Sequence, residues 1–323
     1  MSGLPGWASA LLACPRCHAP LESDEPSGEL RCASGHAYPV VDGIPVLLLD
    51  DARPTQPGYW ATTHEVHPTD ELDVPPDGID PYVRLVLLGT SGNLYRAAGE
   101  RLARYPIPEF PLRDGEDRIV IDIGSNWGRW CVAAARAGFR PVGIDPSLGA
   151  VRAARRVAAQ LGVEAAFAVA DGRHLPFRSG SADVVFSYSV LQHFAKEDVR
   201  ACLGSAARVL AEDGTALVQM ASSRGLWNTA KRARRRFAEP AGFDVRYWSR
   251  GELRAAFRSA FGSALLSADG FFSLNPQAAD GDLLSALGRA VVACSGVLCS
   301  MSRALPPLAA VADSVYVEAR KAA

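Results

Sequence analysis

The chain lacks an excess of charge of either sign. Its 34 Lys and Arg stand against 35 Asp and Glu, so no global field draws it toward nucleic acid, and RNA is the less expected substrate. A signal sequence is also missing: MSGLPGWASALLACP carries no basic segment and no long apolar run. Leu283 to Met301 is fairly apolar, but Arg289 and several small residues interrupt it. It reads as a core or cap helix rather than a membrane span. On these absences the chain is expected in the cytoplasm, with no membrane partner. Its seven cysteines then serve as thiols or metal ligands, not disulfides. A G-x-G-x-x-G dinucleotide fingerprint is absent too. Composition, 48% hydrophobic and 21% charged over 323 residues, suits a globular enzyme with one sizeable domain and a smaller one.

What stands in place of the dinucleotide fingerprint is RIVIDIGSNWGRW, Arg118 to Trp130. Ile119, Val120, Ile121 and Ile123 are β-branched and nearly continuous, which reads as a short buried strand. Gly124 and Gly128 follow at G-x-x-x-G spacing, with Asn126 between them, and an Ala-rich helix begins behind. Strand, glycine turn, helix builds a nucleotide crevice at the carboxyl ends of an α/β sheet. Asp122 lies inside the apolar strand, where a pyrophosphate would be repelled. A cationic ligand is accommodated instead, and S-adenosylmethionine carries both an ammonium and a sulfonium.

Three further strands follow, at Arg140–Ile144, Ala165–Ala170 and Ala182–Ser187. The first ends at Asp145, where a carboxylate can accept both ribose hydroxyls. The second ends at Asp171-Gly172, where a carboxylate can take the exocyclic amine of adenine.

With VIDIGSNWG, VGIDPS, VADGRHLPF, ADVVFSYSVLQHF and ARVLAEDGTALVQM in view, the chain resembles a class I S-adenosylmethionine-dependent methyltransferase. The resemblance is close from Ile119 to Met220. It implies that Asp122 and Gly124 face the methionine part, Asp145 the ribose and Asp171 the adenine. Asn126, Gly128, Gly172 and Ser187 complete the expected cofactor set. Asn126 replaces a glycine common in the family, and Asn tolerates left-handed geometry better than most residues. His193, in the Gln192-His193-Phe194 segment, is the candidate catalytic base; packing against adenine or a helix is its plainer role.

Ahead of this unit, Cys14-Pro-Arg-Cys17 and Cys32-Ala-Ser-Gly-His36 form two closely spaced ligand pairs. Cys14, Cys17, Cys32 and His36 suit a closed tetrahedral zinc site with a structural role. The following YPVVDGIPVLL resembles the zinc ribbon of the tRNA-methyltransferase activator family, which commonly has four cysteines. A Cys3His ribbon ahead of a methyltransferase domain also resembles a bacterial rRNA guanine methyltransferase family.

The expected organisation is a zinc ribbon over 1–50, a linker and helical cap over 51–105, and a methyltransferase domain over 106–323. The fold expected is α/β, a seven-stranded Rossmann-like sheet with helices on both faces. His64 and His67 read as loop residues. Arg152, Arg155 and Arg156 read as a solvated helix face. Lys231, Arg232, Arg234, Arg235 and Arg236, flanked by Trp227 and Phe237, form the one basic cluster. It reads as a solvated face or as a contact for phosphate, an anionic glycan or RNA. Ser249 to Phe261 reads as a capped helix. The leading function is methyl transfer to O or N of a small or medium metabolite, sugars and glycans included. An rRNA or tRNA base methyltransferase is the alternative, and a non-catalytic S-adenosylmethionine-binding scaffold the reading from another class.

Overall fold

The computed structural model describes residues 3–24, 28–53, 55, 78–90, 102–272 and 276–321. The expected linker with Tyr59, Trp60, His64 and His67, and much of the helical cap, lie outside them. A single turn of helix, α1 (Gly6–Ser9), precedes four short strands: β1 (Leu21–Asp24), β2 (Glu29–Cys32), β3 (Ala37–Val41) and β4 (Ile44–Leu47). Helix α2 (Pro81–Thr90) follows. The alternating unit then runs β5 (Ile119–Ile123), α3 (Arg129–Arg136), β6 (Arg140–Asp145), α4 (Leu148–Gln160), β7 (Ala166–Ala170), β8 (Ala182–Tyr188), α5 (Lys196–Val209) and β9 (Leu210–Ala221). Helices α6 (Leu226–Arg234) and α7 (Arg250–Phe261) come next, then β10 (Leu265–Gly270), α8 (Ala286–Ala304), α9 (Pro306–Ala310) and β11 (Ser314–Arg320).

All strands join in one sheet of order β1-β2-β3-β4-β7-β6-β5-β8-β9-β11-β10. The seven strands from β5 onward are the expected methyltransferase sheet, with β11 antiparallel to both neighbours. The strand count differs from expectation for one reason: β4 pairs in parallel with β7, Val46 opposite Val169 and Leu47 opposite Ala170. The ribbon thus continues the sheet. Pairing satisfies backbone groups on an edge that a free β7 would expose. The chain order reverses beside β5, which has β6 on one side and β8 on the other. A reversal of this kind opens the crevice of an open α/β sheet.

Strands β5 to β8 are hydrophobic on both faces because helices cover both, and Val120, Ile121, Val142, Val169, Val184 and Val185 are fully buried. Each such side chain contributes roughly 1.5–3 kcal/mol. Helix α7 begins with the expected capping box: Glu252 N–H donates to Ser249 Oγ, and Ser249 N–H to the Glu252 carboxylate.

Two readings of helices change. Arg152, Arg155 and Arg156 are not a solvated face. Arg152 grips the Asp42 carboxylate at 3.0 and 2.6 Å, and Arg155 donates to the Asp42 carbonyl. Arg156 pairs at 2.7 Å with Asp80, whose side chain is fully buried. These arginines clamp the ribbon and the segment before α2 onto α4. Helix α8 is a core helix only in part: Leu298 and Cys299 pack on the main core and Gly288, Ser295 and Ser302 are buried, while Leu287, Val297 and Met301 face outward.

Candidate functional site

The glycine turn after β5 is held in left-handed geometry, with φ of 75° at Gly124, 47° at Asn126 and 80° at Gly128. A Cβ on Gly124 would lie 2.5 Å from Val190, and one on Gly128 3.1 Å from both Ala154 and Phe167. Both glycines therefore permit close packing as well as positive φ. Asn126 fits the turn because its Oδ1 accepts from Trp127 N–H at 2.8 Å.

Asp122 is 2% exposed. Its carboxylate accepts a 3.4 Å contact from the Cys131 thiol, and no cationic side chain among the described residues acts on it. Burial therefore pushes its carboxyl up to about 7, assisted by the charge on Asp145. A buried carboxylate lacking a cation fits a cationic ligand on electrostatic grounds. Asp145, at the end of β6, accepts from Asn126 N–H at 3.0 Å and Ser147 N–H at 2.9 Å. One carboxylate thus fixes the glycine turn and the start of α4 together.

Asp171 follows β7 and Ser187 lies in β8, and both have partners within the protein. Arg173 donates to the Asp171 carboxylate through Nε and Nη2, the latter at 2.6 Å, and its own backbone N–H adds a third bond. Arg173 also reaches Asp198 at 3.0 Å. The Asp171 carboxylate is thus matched within the protein. Gly172 packs beside it, a Cβ there falling 2.7 Å from Ile123. Ser187 is fully buried, and its hydroxyl donates to the Ile123 carbonyl at 3.0 Å. It braces β8 against β5 instead of opening onto the crevice.

His193 is half-buried in the turn after β8. Its Nδ1 donates to the Phe243 carbonyl at 2.8 Å, and its ring stacks on Phe243 with centroids 4.2 Å apart. Burial lowers its pKa, and with Nδ1–H given to the Phe243 carbonyl, Nε2 is the nitrogen that would accept a proton.

A second polar group at the same sheet edge was missed in the sequence. Asp269, near the end of β10, accepts from Tyr188 Oη at 3.2 Å and Ser314 Oγ at 2.8 Å. Gln277 donates to Tyr188 Oη at 3.3 Å. Burial raises the Asp269 carboxyl to about 6. Nearby, Arg129, the first residue of α3, pairs at 3.2 Å with the fully buried Asp280. Residues 277–280 are thereby tied to the glycine turn. The only local signals were Asp269-Gly270 at a strand end and Tyr188 in the run Ser187-Tyr188-Ser189.

In the ribbon, the four expected ligand atoms all lie within 4.8 Å of one another. Cys17 Sγ is 3.7 Å from Cys32 Sγ, and His36 Nδ1 is 3.5 Å from Cys14 Sγ and 3.3 Å from Cys32 Sγ. Tetrahedral zinc with bonds of about 2.0–2.3 Å spaces its ligands by roughly 3.3–3.8 Å, so the residues fit the ion. Tyr38 Oη is 3.2 Å from Cys14 Sγ and supports that ligand from behind. Gly35, at φ 84°, turns the second knuckle. Beside the ribbon, a cavity of about 450 Å³ is lined by Arg16, His18, Arg173, His174 and Arg208 among others. It lies on the ribbon side of Asp171, not over the glycine turn.

Comparisons with known proteins match two separate stretches of the chain. Residues 120–214 match the family described as a methyltransferase domain, and residues 9–43 the Trm112p-like proteins. A UPF0434 protein of Cupriavidus metallidurans is 53% identical over 49 residues, 15% of this chain and 71% of its own. One of Saccharophagus degradans is 60% identical over 45 residues, 14% of this chain and 71% of its own. Among solved structures, the complex of the Haloferax volcanii Trm112 methyltransferase activator with a putative methyltransferase is similar. It has 19% identity and a TM-score of 0.45, covering 74% of this chain and 94% of that one. The chain thus joins a methyltransferase domain, matched over residues 120–214, to a Trm112p-like module at its N-terminal end. Among the described residues no helix is long and apolar enough to cross a membrane.

Proposed function

We propose that the chain transfers a methyl group from S-adenosylmethionine to oxygen or nitrogen of a small or medium metabolite, sugars and glycans included. The observation that carries this reading is the pair of carboxylates flanking the glycine turn. Asp122 is buried without a cation, and Asp145 is fixed at the end of β6. Asp122, Gly124, Asn126 and Gly128 would hold the methionine part, Asp145 the ribose, and Asp171 with Gly172 the adenine. For Asp171 to take an adenine amine, it must keep Arg173 on one side and offer its remaining lone pairs to the ligand. Zinc on Cys14, Cys17, Cys32 and His36 is structural in this reading, since four protein ligands leave no open position.

The bound cofactor supplies an activated electrophilic methyl carbon on sulfur. The protein positions the acceptor in line with it and removes the acceptor's proton. The His193 imidazole, whose pKa burial lowers, is suited to accept that proton. Asp269, with Tyr188 and Gln277, supplies donors and an acceptor that can orient a hydroxyl or amine at the same edge. We assign no ligand contact to Ser187. The reading is supported by the neutral overall charge, which gives an RNA no long-range attraction.

Calorimetric titration with S-adenosylmethionine, S-adenosylhomocysteine and NAD tests the reading. Binding of both sulfur nucleotides and none of NAD is expected. Absence of both would overturn the cofactor assignment and the methyl-transfer reading with it. His193→Ala should keep cofactor affinity and slow turnover by about 10²-fold or more, the range of general base catalysis; full turnover removes it as base.

A further inference from the structure

Among the described residues, ten of the eleven large apolar side chains that stand exposed lie between Leu226 and Leu305. The same part of the chain holds the basic cluster. From Arg224 to Arg246 there are seven Lys or Arg and two acids, Glu239 and Asp244. Asp244 is already paired with Arg235 at 2.6 Å.

Parts of the two features meet at one turn; Leu265, opposite Glu318, and Phe243, stacked on His193, stand apart from it. Helix α6 is anchored by Asn228, which is buried and bonds to Asp313 and Ser222. Opposite it, Leu226, Ala230 and Ala233 recur at i, i+4 and i+7, flanked by Trp227 and Arg234, all of them exposed. Arg236 and Phe237 continue that exposed surface past the helix end. Leu226 N–H donates to the Val311 carbonyl, and the exposed Phe272 donates its N–H to Asp313. Both therefore meet the turn that follows α8 and α9. The outward residues of α8 extend the apolar surface, with Leu287 75% and Val297 58% exposed.

We propose that this rim docks on an anionic lipid surface, with Trp227, Phe237 and the aliphatic side chains entering the headgroup region and Arg234 and Arg236 paired with lipid phosphates. The charge and the chemistry of the apolar groups select this occupant. A helix with exposed aromatic and aliphatic groups beside cations suits an interface, and it needs no membrane-crossing length. RNA could stack on Trp227 and Phe237, but Leu226, Leu287 and Val297 have no ring face to offer a base. A second copy would set one basic cluster against another, which like charge disfavours. The rim lies along the edge that holds the ends of β9 and β10 and the start of β11, the same edge as the crevice. Resting on the methyl-transfer reading, the acceptor is then an amphiphile presented at that surface.

Vesicle flotation without cofactor tests the docking. Vesicles of phosphatidylcholine doped with phosphatidylglycerol should carry the protein, and added salt should release it. Pure phosphatidylcholine vesicles should not carry it. Arg234→Gln with Arg236→Gln should weaken binding about 25-fold, about fivefold per arginine. Trp227→Ser with Phe237→Ser should weaken it independently. Calorimetry with S-adenosylmethionine checks that each variant is folded and probes the methyl-transfer reading separately. The docking is overturned if anionic vesicles float no protein, if the variants bind like the parent chain, or if a mixed-sequence RNA oligonucleotide binds while vesicles do not.

Discussion

The two ends of the sheet are finished in opposite ways. At the β7 end the edge is covered: β4 pairs with it, arginines of α4 grip Asp42 and Asp80, and four ligand atoms gather within 4.8 Å. At the β10 end no further strand among the described residues is paired outside it, and α8 lays Gly288, Ser295, Leu298, Cys299 and Ser302 toward the protein while Leu287, Val297 and Met301 face out. The first end joins specific polar and metal-ligating pairs to apolar packing, with Leu12, Ile44 and Leu47 buried against the main domain. The second is apolar surface left unmatched within the described chain. The contrast teaches that one edge is stabilised by what the chain itself supplies, whereas the other is shaped for something outside it.

The largest effect should come from the metal. Chelation, or Cys14→Ser, should unfold the ribbon, since structural zinc in such small modules couples on the order of 10 kcal/mol to folding. Metal content by emission spectrometry and a thermal melt read it; unchanged zinc after Cys14→Ser ends the zinc assignment. Next, Arg156→Ala leaves the Asp80 carboxylate buried without its cation and should cost about 3 kcal/mol, read by urea unfolding. A loss below 0.5 kcal/mol would mean that the clamp is dispensable, and the contrast between the ends would weaken.

Between the two ends, Asp145→Ala should weaken S-adenosylmethionine binding by about 2 kcal/mol, the scale of hydrogen bonds to a charged group. Calorimetry checks it, and unchanged affinity would sink the ribose assignment. Asp122 adds a pH signature. Its folded value of about 7 lies above an unfolded value near 3.9, so between them the folded state holds a proton that the unfolded state has lost. The stability it contributes is fully present below about pH 4 and is lost as pH rises toward 7. A cationic ligand favours the ionised form, so cofactor affinity should climb as pH rises through about 7. Asp122→Asn should flatten both profiles; profiles unchanged in the variant would exclude Asp122 as their source. The smallest effect belongs to the far end: Val297→Ser on α8 should change stability by less than about 0.5 kcal/mol, as an exposed site does. A larger loss in urea unfolding would show that this face is covered by the chain itself.

Features carried by short stretches were legible in advance. The β5 strand, its glycine turn, Asp122, Asp145 and the strands expected to end at 144, 170 and 187, each within one residue of the observed end, announce themselves through β-branched runs and adjacent turn residues. The two ligand pairs announce themselves by spacing, and the α7 cap by Ser249 and Glu252. Features that depend on partners far along the chain were not. Arg152 and Arg156 looked solvated because Asp42 and Asp80 lie 110 and 76 residues away. The Tyr188–Asp269 pair spans 81 residues. Arg173 is only two residues from Asp171, yet nothing in composition says that its guanidinium turns back onto that carboxylate. Helix α8 misled because apolar content reports helix formation, whereas which face is buried depends on what packs against it.

The sequence by itself determined the α/β class, the glycine turn with its carboxylates and the grouping of the ribbon ligands, because hydrophobic period, glycine and ligand spacing act over a few residues. Tertiary structure alone decided that the ribbon continues the sheet, that arginines of α4 serve as a clamp, and that apolar and basic groups share an open rim. Those outcomes require backbone edges and charges from distant segments to meet, and only the folded chain brings them within hydrogen-bonding distance.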